Sequence, residues 1–322
     1  MIKSSEKDNK SNIYLSIVIP VYQNEHTLGD LYKEIQETVI NRNSDRKIEV
    51  IFVDDGSTDN SLKTLYKLKQ QFHNDRIKII TLTRNFGQVP AIHAGYELSE
   101  GEYIVNISAD LQDPPELINE MIQFSSCDDF EVVICTRDSR EDPLVTIFFS
   151  RLAYWMMKKL SFKEMPLGGF DYVLISKNVM NTILSNPEAN PFFQGQILWT
   201  GFKTKFIPYQ RRNRQIGESQ YTFSRKLKYL IDGILGYSYT PIRLISILGL
   251  IFSFSGFLYA IIIIINWFLG DSPFQGWSPL MLIILLSSGF QMLMIGIIGE
   301  YIWRTLDQVR NRPPYIIHKI IE

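Results

Sequence analysis

Two stretches near the carboxyl end, Leu244 to Gly270 and Ser272 to Gly299, each run for about 27 residues without a Lys, Arg, Asp or Glu. Backbone groups inside hydrocarbon have no water to bond, so a span of this kind must be helical if it enters a bilayer. Each helix would be roughly 40 Å long against a hydrocarbon core of about 30 Å, enough to cross with tilt. The connection around Asp271 has no Lys or Arg, whereas Arg243 precedes the pair and Arg304, Arg310, Arg312 and Lys319 follow it. That asymmetry predicts both flanks on the cytoplasmic side. Trp267 and Trp277 suit the opposite interface, and Gly249 with Ser253 offers a small-residue face for helix contact. The rival reading, buried helices of a soluble protein, fits poorly with such length without charge.

The remaining chain is large enough for one α/β domain, since 45% of the 322 residues are hydrophobic. Its 33 basic and 34 acidic side chains nearly cancel, which excludes nucleic-acid binding by bulk charge. Cys127 and Cys135 form no C-x-x-C pair, so neither a disulfide framework nor a zinc site is expected. His26, His73, His93 and His318 are scattered singly and read as surface or packing residues. Met1 to Tyr14 lacks the apolar core of a signal peptide, so the amino terminus is expected to remain cytoplasmic.

Apolar runs alternate with amphipathic ones. Leu15 to Val21, Ile48 to Val53, Ile77 to Leu82 and Tyr103 to Ser108 read as strands, with Val132 to Cys135 as a further one. Helices are expected around Leu28, Leu31 and Ile35, then over Asp59 to Phe72, Val89 to Leu98 and Pro114 to Phe124. This alternation predicts an α/β fold with a mostly parallel, Rossmann-like sheet and ligands at the carboxyl ends of its strands. Leu144 to Leu160 suits either a lipid-facing helix or a core helix. Phe223, Leu227, Leu230, Ile231 and Ile234 share one face of a predicted helix in the membrane interface, with core packing as the alternative. The expected division is a polar tail over 1–14, a catalytic domain over 15–221 and an interfacial region over 222–241. Two transmembrane helices follow over 242–303, at about 244–270 and 277–301, and then a cytoplasmic tail over 304–322.

The candidate chemistry sits where strands stop. Ile104 to Glu116 is an apolar run that ends among Asp110, Gln112 and Asp113, delivering hard oxygens to the ligand edge of the sheet. Asp113 with Pro114, Pro115 and Glu116 matches a helix start, which makes Asp113 an expected cap. Asp110 and Gln112 remain as metal ligands, too few for a closed cage but suited to a cation shared with a diphosphate. After the second strand, Gly56 permits a tight turn and Asp59 can cap the next helix. The adjacent Asp54 and Asp55 repel each other and need donors, such as ribose hydroxyls, base N–H groups or a metal. The sequence contains no Walker-type or G-x-G-x-x-G loop.

Taken together, Ser16 to Tyr22 with Asn24-Glu25, Val53 to Asp59, Arg84-Asn85-Phe86-Gly87-Gln88 and Ala109 to Glu116 resemble the inverting family-2 glycosyltransferases. More narrowly, with Arg211, Arg214, Gly217-Glu218-Ser219 and the paired apolar spans, the chain resembles the polyprenyl-phosphate glycosyltransferases. The resemblance implies a GT-A type domain that binds a UDP- or GDP-sugar through Pro20, Tyr22, Glu25, Asp54, Asp55 and Asp110. It places a divalent cation, Mg2+ or Mn2+, at Asp110 and Gln112. It assigns Asp110, Asp171, Arg211 and Arg214 to catalysis. Arg137, Arg140, Arg151, Arg211, Arg214 and Ser219 are assigned to the phosphate of a lipid acceptor, with a solvated-surface or headgroup role equally open for Arg137, Arg140 and Arg151. The chain departs from the pattern at Ser108, where the family commonly has Asp, and at Gln220, where a Lys often follows Gly-Glu-Ser. Gly169-Phe170-Asp171-Tyr172 replaces the usual Gly-Asp-Phe-Arg, and Asp171 is aligned with the family Asp through Leu174-Ile175.

The implied reaction is transfer of one sugar to undecaprenyl or dolichyl phosphate at the cytoplasmic leaflet of the cell membrane. An anionic phosphate is already a nucleophile, so the enzyme must chiefly orient it and stabilise the leaving group. A processive polysaccharide synthase and a catalytically weak membrane scaffold are the alternatives; the former normally carries a Gln-x-x-Arg-Trp element, which is not found here. A homo-oligomer is left open.

Overall fold

The computed structural model describes residues 13–137, 154–166, 168–213, 223–269 and 278–322. The chain divides into two units. One comprises the residues up to Gly233 together with Pro313–Glu322, and the other Ile234–Arg312.

The first unit is built on an eight-stranded sheet in the order β7-β5-β6-β4-β1-β2-β3-β8. Its centre is parallel: β1 (Leu15–Val21) lies between β2 (Ile48–Asp54) and β4 (Tyr103–Asn106), and β3 (Arg76–Leu82) extends it beyond β2. All seven residues of β2 are buried, as expected of a parallel strand covered on both faces. Successive side chains point to opposite faces. Ile17, Ile19, Phe52, Ile79 and Val105 meet α1 (Leu28–Ile35), α2 (Ser61–Gln71) and α4 (Leu117–Asp128) in one continuous core. On the other face α3 (Gln88–Glu97) lies so close that a Cβ at Gly95 would fall 2.3 Å from Val18 Cγ1. Only glycine lets that helix sit so close to the sheet.

Beyond β4 the order becomes mixed. β5 (Val132–Arg137) and β6 (Val173–Ser176) are antiparallel, β6 is also antiparallel to β4, and β7 (Thr204–Tyr209) runs parallel to β5. Residues 154–160 form α5, followed by α6 (Lys177–Ser185) and α7 (Phe193–Trp199). In α8 (Phe223–Tyr237), Tyr229 meets the Phe192 ring edge-on at 4.7 Å, and Gly233 packs on Met157 and Phe192. Ile231, on the predicted apolar face, stays 37% exposed, so the buried side of the helix is a different one.

β8 (Ile317–Ile321) lies in residues read from sequence as a tail. It pairs antiparallel with β3, Ile79 opposite Ile321 and Thr81 opposite Lys319, and covers an otherwise open edge. Tyr315 Oη donates to Glu97 at 2.7 Å, and Glu322 approaches the buried Lys78 ammonium at 3.5 Å.

The second unit is a pair of long helices, α9 (Thr240–Phe268) and α10 (Ser278–Val309). Within them, Thr240–Asn266 and Ile283–Val309 are long and apolar enough to cross a membrane, and none of either apolar window is buried. α10 thus extends past the expected end near residue 301. Phe252 stacks on Phe290 at 4.8 Å, and Gly249 faces Met294, as the small-residue pattern predicts. Leu250 is 72% exposed and Phe257 63%, an apolar exposure of the kind found at membrane or protein contacts.

Candidate active site

Strand direction assembles the site. β1 to β4 and the parallel pair β5 and β7 all end at one rim of the sheet, and β6, running the other way, begins there. The rim therefore collects Tyr22 and Glu25 after β1, Asp54 and Asp55 after β2, and Ser108 to Asp113 after β4. It also collects Arg137 at the end of β5, Asp171 just before β6, and Arg211 just after β7. Arg137 and Tyr209 face each other as register partners, although they are far apart in sequence.

One half of this rim is a cluster of three carboxylates and two guanidinium groups. Arg211 Nε donates to Asp113 Oδ1 at 3.1 Å, and its Nη2 lies 3.9 Å from both Asp110 and Asp171. Arg137 Nη2 reaches both oxygens of Asp171, at 2.5 and 2.6 Å. Ser108 Oγ lies 2.8 Å from Asp110 and 2.5 Å from Asp113, and Tyr209 Oη donates to Asp113 at 2.6 Å. Asp113 is 1% exposed. Burial raises its pKa first and the charge of Asp171 raises it further, with Arg211 opposing both. For Arg137, burial works against the charged form, but Asp171, Tyr209 and Asp113 outweigh it and hold the guanidinium firmly protonated.

The expectation that Asp113 caps α4 is corrected by this geometry. The helix begins at Leu117 with Glu116 at its N-cap, and the Asp113 carboxylate turns inward to Tyr209 and Arg211. Local sequence offered a cap; the buried guanidinium and phenol offered stronger partners. Leu111, between Asp110 and Gln112, takes a left-handed φ of 62°, which costs a leucine about 1 kcal/mol and marks a turn held by its surroundings. Gln112 N donates to Asp110 Oδ1 at 3.2 Å, and Gln112 Nε2 donates to the Arg212 carbonyl at 3.2 Å, so the amide oxygen is the atom left for a cation. Arg212 itself points away, to Glu34 and Glu116.

The other half of the rim is held by backbone donors. Glu25 Oε2 accepts from Asn60 N at 2.8 Å, while Asp59 accepts from Glu25 N and Ser61 N, tying the loop after β1 to the start of α2. Tyr22 N donates to Asn24 Oδ1, and Pro20 lies in β1 opposite Val53. Asp54 accepts from Ser57 N at 3.3 Å. Asp55, expected from sequence to contact the nucleotide, accepts with its two oxygens from Phe86 N and Gly87 N at 2.7 and 2.8 Å. Its observed role is to hold the Arg84 to Gly87 loop. Gly56, with φ 69°, makes room for that loop, since a Cβ there would lie 2.7 Å from the Arg84 carbonyl carbon.

Burial pushes the Asp55 carboxyl from 3.8 up to about 6, more than the Phe86 and Gly87 amides lower it. A group with a raised folded-state pKa contributes stability in full below its unfolded value and loses it as pH rises through the folded value. Thermal unfolding is therefore expected to show a contribution that declines between about pH 4 and pH 6 and is absent in Asp55→Asn. Equal profiles for the two proteins would contradict this.

Arg140, Arg151, Arg214 and Ser219 lie outside the described residues, as does Trp277. Sequence reading missed Tyr209. Its only signal was an aromatic two positions before Arg211, in a strand disguised by Pro208.

Residues 16–181 match the family described as glycosyl transferase family 2. The chain is 38% identical over 311 residues to the uncharacterized glycosyltransferase YkcC of Bacillus subtilis (strain 168), covering 96% of this chain and 94% of that one. It is 30% identical over 305 residues to the bactoprenol glucosyl transferase of Shigella phage SfII, covering 95% and 97%. The solved mannosyltransferase PcManGT from Pyrobaculum calidifontis, in complex with GDP-Man and Mn2+, superposes with a TM-score of 0.52 at 15% identity, over 69% of this chain and 63% of that one. That likeness is one of fold, a GT-A-like α/β arrangement with a mostly parallel sheet. The motifs, the sheet and the full-length relatives agree that the chain belongs to glycosyl transferase family 2 and is a glycosyltransferase.

Proposed function

We propose that this glycosyltransferase moves one sugar from a nucleotide-sugar to polyprenyl phosphate at the cytoplasmic face of a membrane, with inversion at the anomeric carbon. The observation that carries the reading is the meeting of Asp110, Asp171, Arg137 and Arg211 at the carboxyl rim. The full-length relatives that bear the name bactoprenol glucosyl transferase support the acceptor.

In this reading Tyr22, Glu25 and Asp54 frame the nucleotide, and Asp55 sets the loop beside it. A phosphate oxygen of the acceptor attacks the anomeric carbon, and the bond to the diphosphate breaks with its electron pair leaving on the diphosphate. Arg211 and Arg137 offset the repulsion between two anions, and a guanidinium fork suits phosphate oxygens well. Asp171, already paired with Arg137, keeps that guanidinium pointed at the acceptor. An anionic nucleophile makes a strong base unnecessary.

Asp110 and the Gln112 amide oxygen are hard donors suited to Mg2+ or Mn2+, and a cation there would supply Lewis-acid stabilisation of a departing diphosphate. No group of three His, Cys, Asp or Glu residues able to hold a metal occurs among the described residues, so the diphosphate would have to complete the coordination. The Ser108 hydroxyl lies between Asp110 and Asp113, with one proton to give to either, and so stands where the family commonly has a carboxylate without adding charge.

The test is sugar transfer by the purified full chain, given polyprenyl phosphate, a panel of UDP- and GDP-sugars and either cation. A single-sugar lipid product is expected; polymer, or no turnover with any donor by folded protein, overturns the reading.

Membrane topology has its own argument. β8 belongs to the same sheet as β1 to β4, which supports placing the chain on either side of residues 234–312 on one side of a bilayer. An even number of crossings satisfies that, and α9 and α10 supply two. An impermeant thiol reagent is expected to label Ser272→Cys in intact cells and the exposed Cys127 only after permeabilisation. Labelling of both sites under the same condition removes the hairpin, and the reverse pattern overturns the cytoplasmic placement of the catalytic domain.

A further inference from the structure

α7 buries two glutamines, Gln194 and Gln196, each 4% exposed. Among the described residues Gln194 Oε1 and Gln196 Nε2 have no hydrogen-bond partner, a burden of about 1–3 kcal/mol for a buried polar atom. A core that needed only filling would be better served by Leu or Met, so the paired halves of these amides point to a task. Gln194 Nε2 donates to the Phe170 carbonyl at 2.6 Å. The next carbonyl, that of Asp171, accepts from Nδ2 of Asn106, the buried last residue of β4. Asn106 is held in turn by Tyr96 Oη, which donates to its Oδ1 at 2.9 Å. Gln196 Oε1 faces His93 Nε2 at 3.0 Å, which ties α7 to α3.

The Phe170 and Asp171 carbonyls belong to the two peptide planes on either side of the Asp171 Cα. Pinning both planes fixes the direction of the Cα–Cβ bond and leaves only the side-chain torsions, which Arg137 sets by reaching both carboxylate oxygens. Without such clamps the segment would be loose, because Gly168 and Gly169 lie just upstream and Gly169 has a φ of 65°. We propose that Asn106 and Gln194 are positioning residues that fix the Asp171 carboxylate and, through it, the Arg137 guanidinium at the acceptor phosphate, an inference that rests on the role given to Asp171 above. The support comes from opposite sides, one amide from the sheet and one from α7.

The experiment measures kcat and KM for sugar transfer by the full-length protein as Gln194→Met, Asn106→Ser and Asp171→Asn, singly and with each of the first two combined with the third. Gln194→Met keeps the volume and removes the donor; Asn106→Ser is too short to reach the carbonyl and carries the test should Gln194→Met fail to fold. A misplacement of about 1 Å at a reacting centre costs up to 100-fold. Each single variant is therefore expected to lower kcat roughly 10- to 100-fold, with KM for the nucleotide-sugar unchanged within about twofold. On the Asp171→Asn background, the further loss is expected to be under about twofold, since residues acting through one group are not additive. Wild-type kcat in the first two variants alongside a damaged Asp171→Asn overturns this inference alone, as does a loss that adds in full. Wild-type turnover in Asp171→Asn overturns the role of Asp171 and the positioning with it.

Discussion

Asp110→Asn is expected to lower sugar transfer by about 100- to 1,000-fold in a protein that remains folded. The substitution keeps an oxygen where Asp110 Oδ1 accepts from Ser108 Oγ and Gln112 N, so the turn through Leu111 survives. What it removes is one negative charge at the rim, 3.9 Å from the Arg211 guanidinium. Lewis-acid stabilisation by a cation held at such a carboxylate is worth several kcal/mol, and each factor of ten in rate corresponds to about 1.4 kcal/mol. The measurement is turnover at saturating donor, with the unfolding temperature as the check on folding. A variant that works at the wild-type rate would leave the carboxyl rim without its central role.

The second large effect is on stability. Arg211→Met is expected to destabilise the protein by about 3 kcal/mol, because removing one partner of a buried ion pair strands the other. Arg211 is 21% exposed at its side chain and Asp113 only 1%, so solvent does little to replace the lost guanidinium. Asp113 keeps its Ser108 and Tyr209 contacts but loses the cation that opposes burial and the charge of Asp171. Its pKa in the variant then rises further. A group of that kind contributes stability below its unfolded pKa and loses it as pH climbs, so the deficit of Arg211→Met should shrink on acidification. Denaturant unfolding at two pH values checks both parts, and a deficit below about 0.5 kcal/mol at neutral pH would mean that the arginine is not the counter-ion of this cluster.

How much of this was legible beforehand depends on how local the signal was. β1 to β4 are dominated by Ile, Val, Leu and Phe, because strands covered on both faces bury most of their side chains, and they are legible to within two residues despite polar members such as Glu49 and Lys78. α9 and α10 were equally plain, since the uncharged runs 244–270 and 272–299 leave few choices. β6 to β8 were not read as strands. They are short, β7 carries Pro208, β8 carries His318 and Lys319, and their partners lie far away in sequence. The same limit governed the site. Asp110, Asp171, Arg137 and Arg211 were named from motifs, yet nothing local says that Arg137 and Asp171 touch. That contact exists because β6 reverses direction and brings its amino end to the rim where β5 ends. Asp113 was misread for a related reason: its immediate neighbours spell a helix cap, whereas Tyr209 at the end of β7 and Arg211 just after it are far away in sequence.

The placement of β8 also bears on how the molecule is made. Synthesis proceeds from the amino end, and domains generally begin to fold as they emerge. β3 leaves the ribosome early, but its outer neighbour is encoded after both long helices. Until those helices have been translated, the nascent sheet carries a bare, adhesive flank, and a product interrupted within α9 or α10 can never cover it. Such fragments should be sticky and short-lived in the cell, so that only chains that have passed the lipid-seeking segment mature.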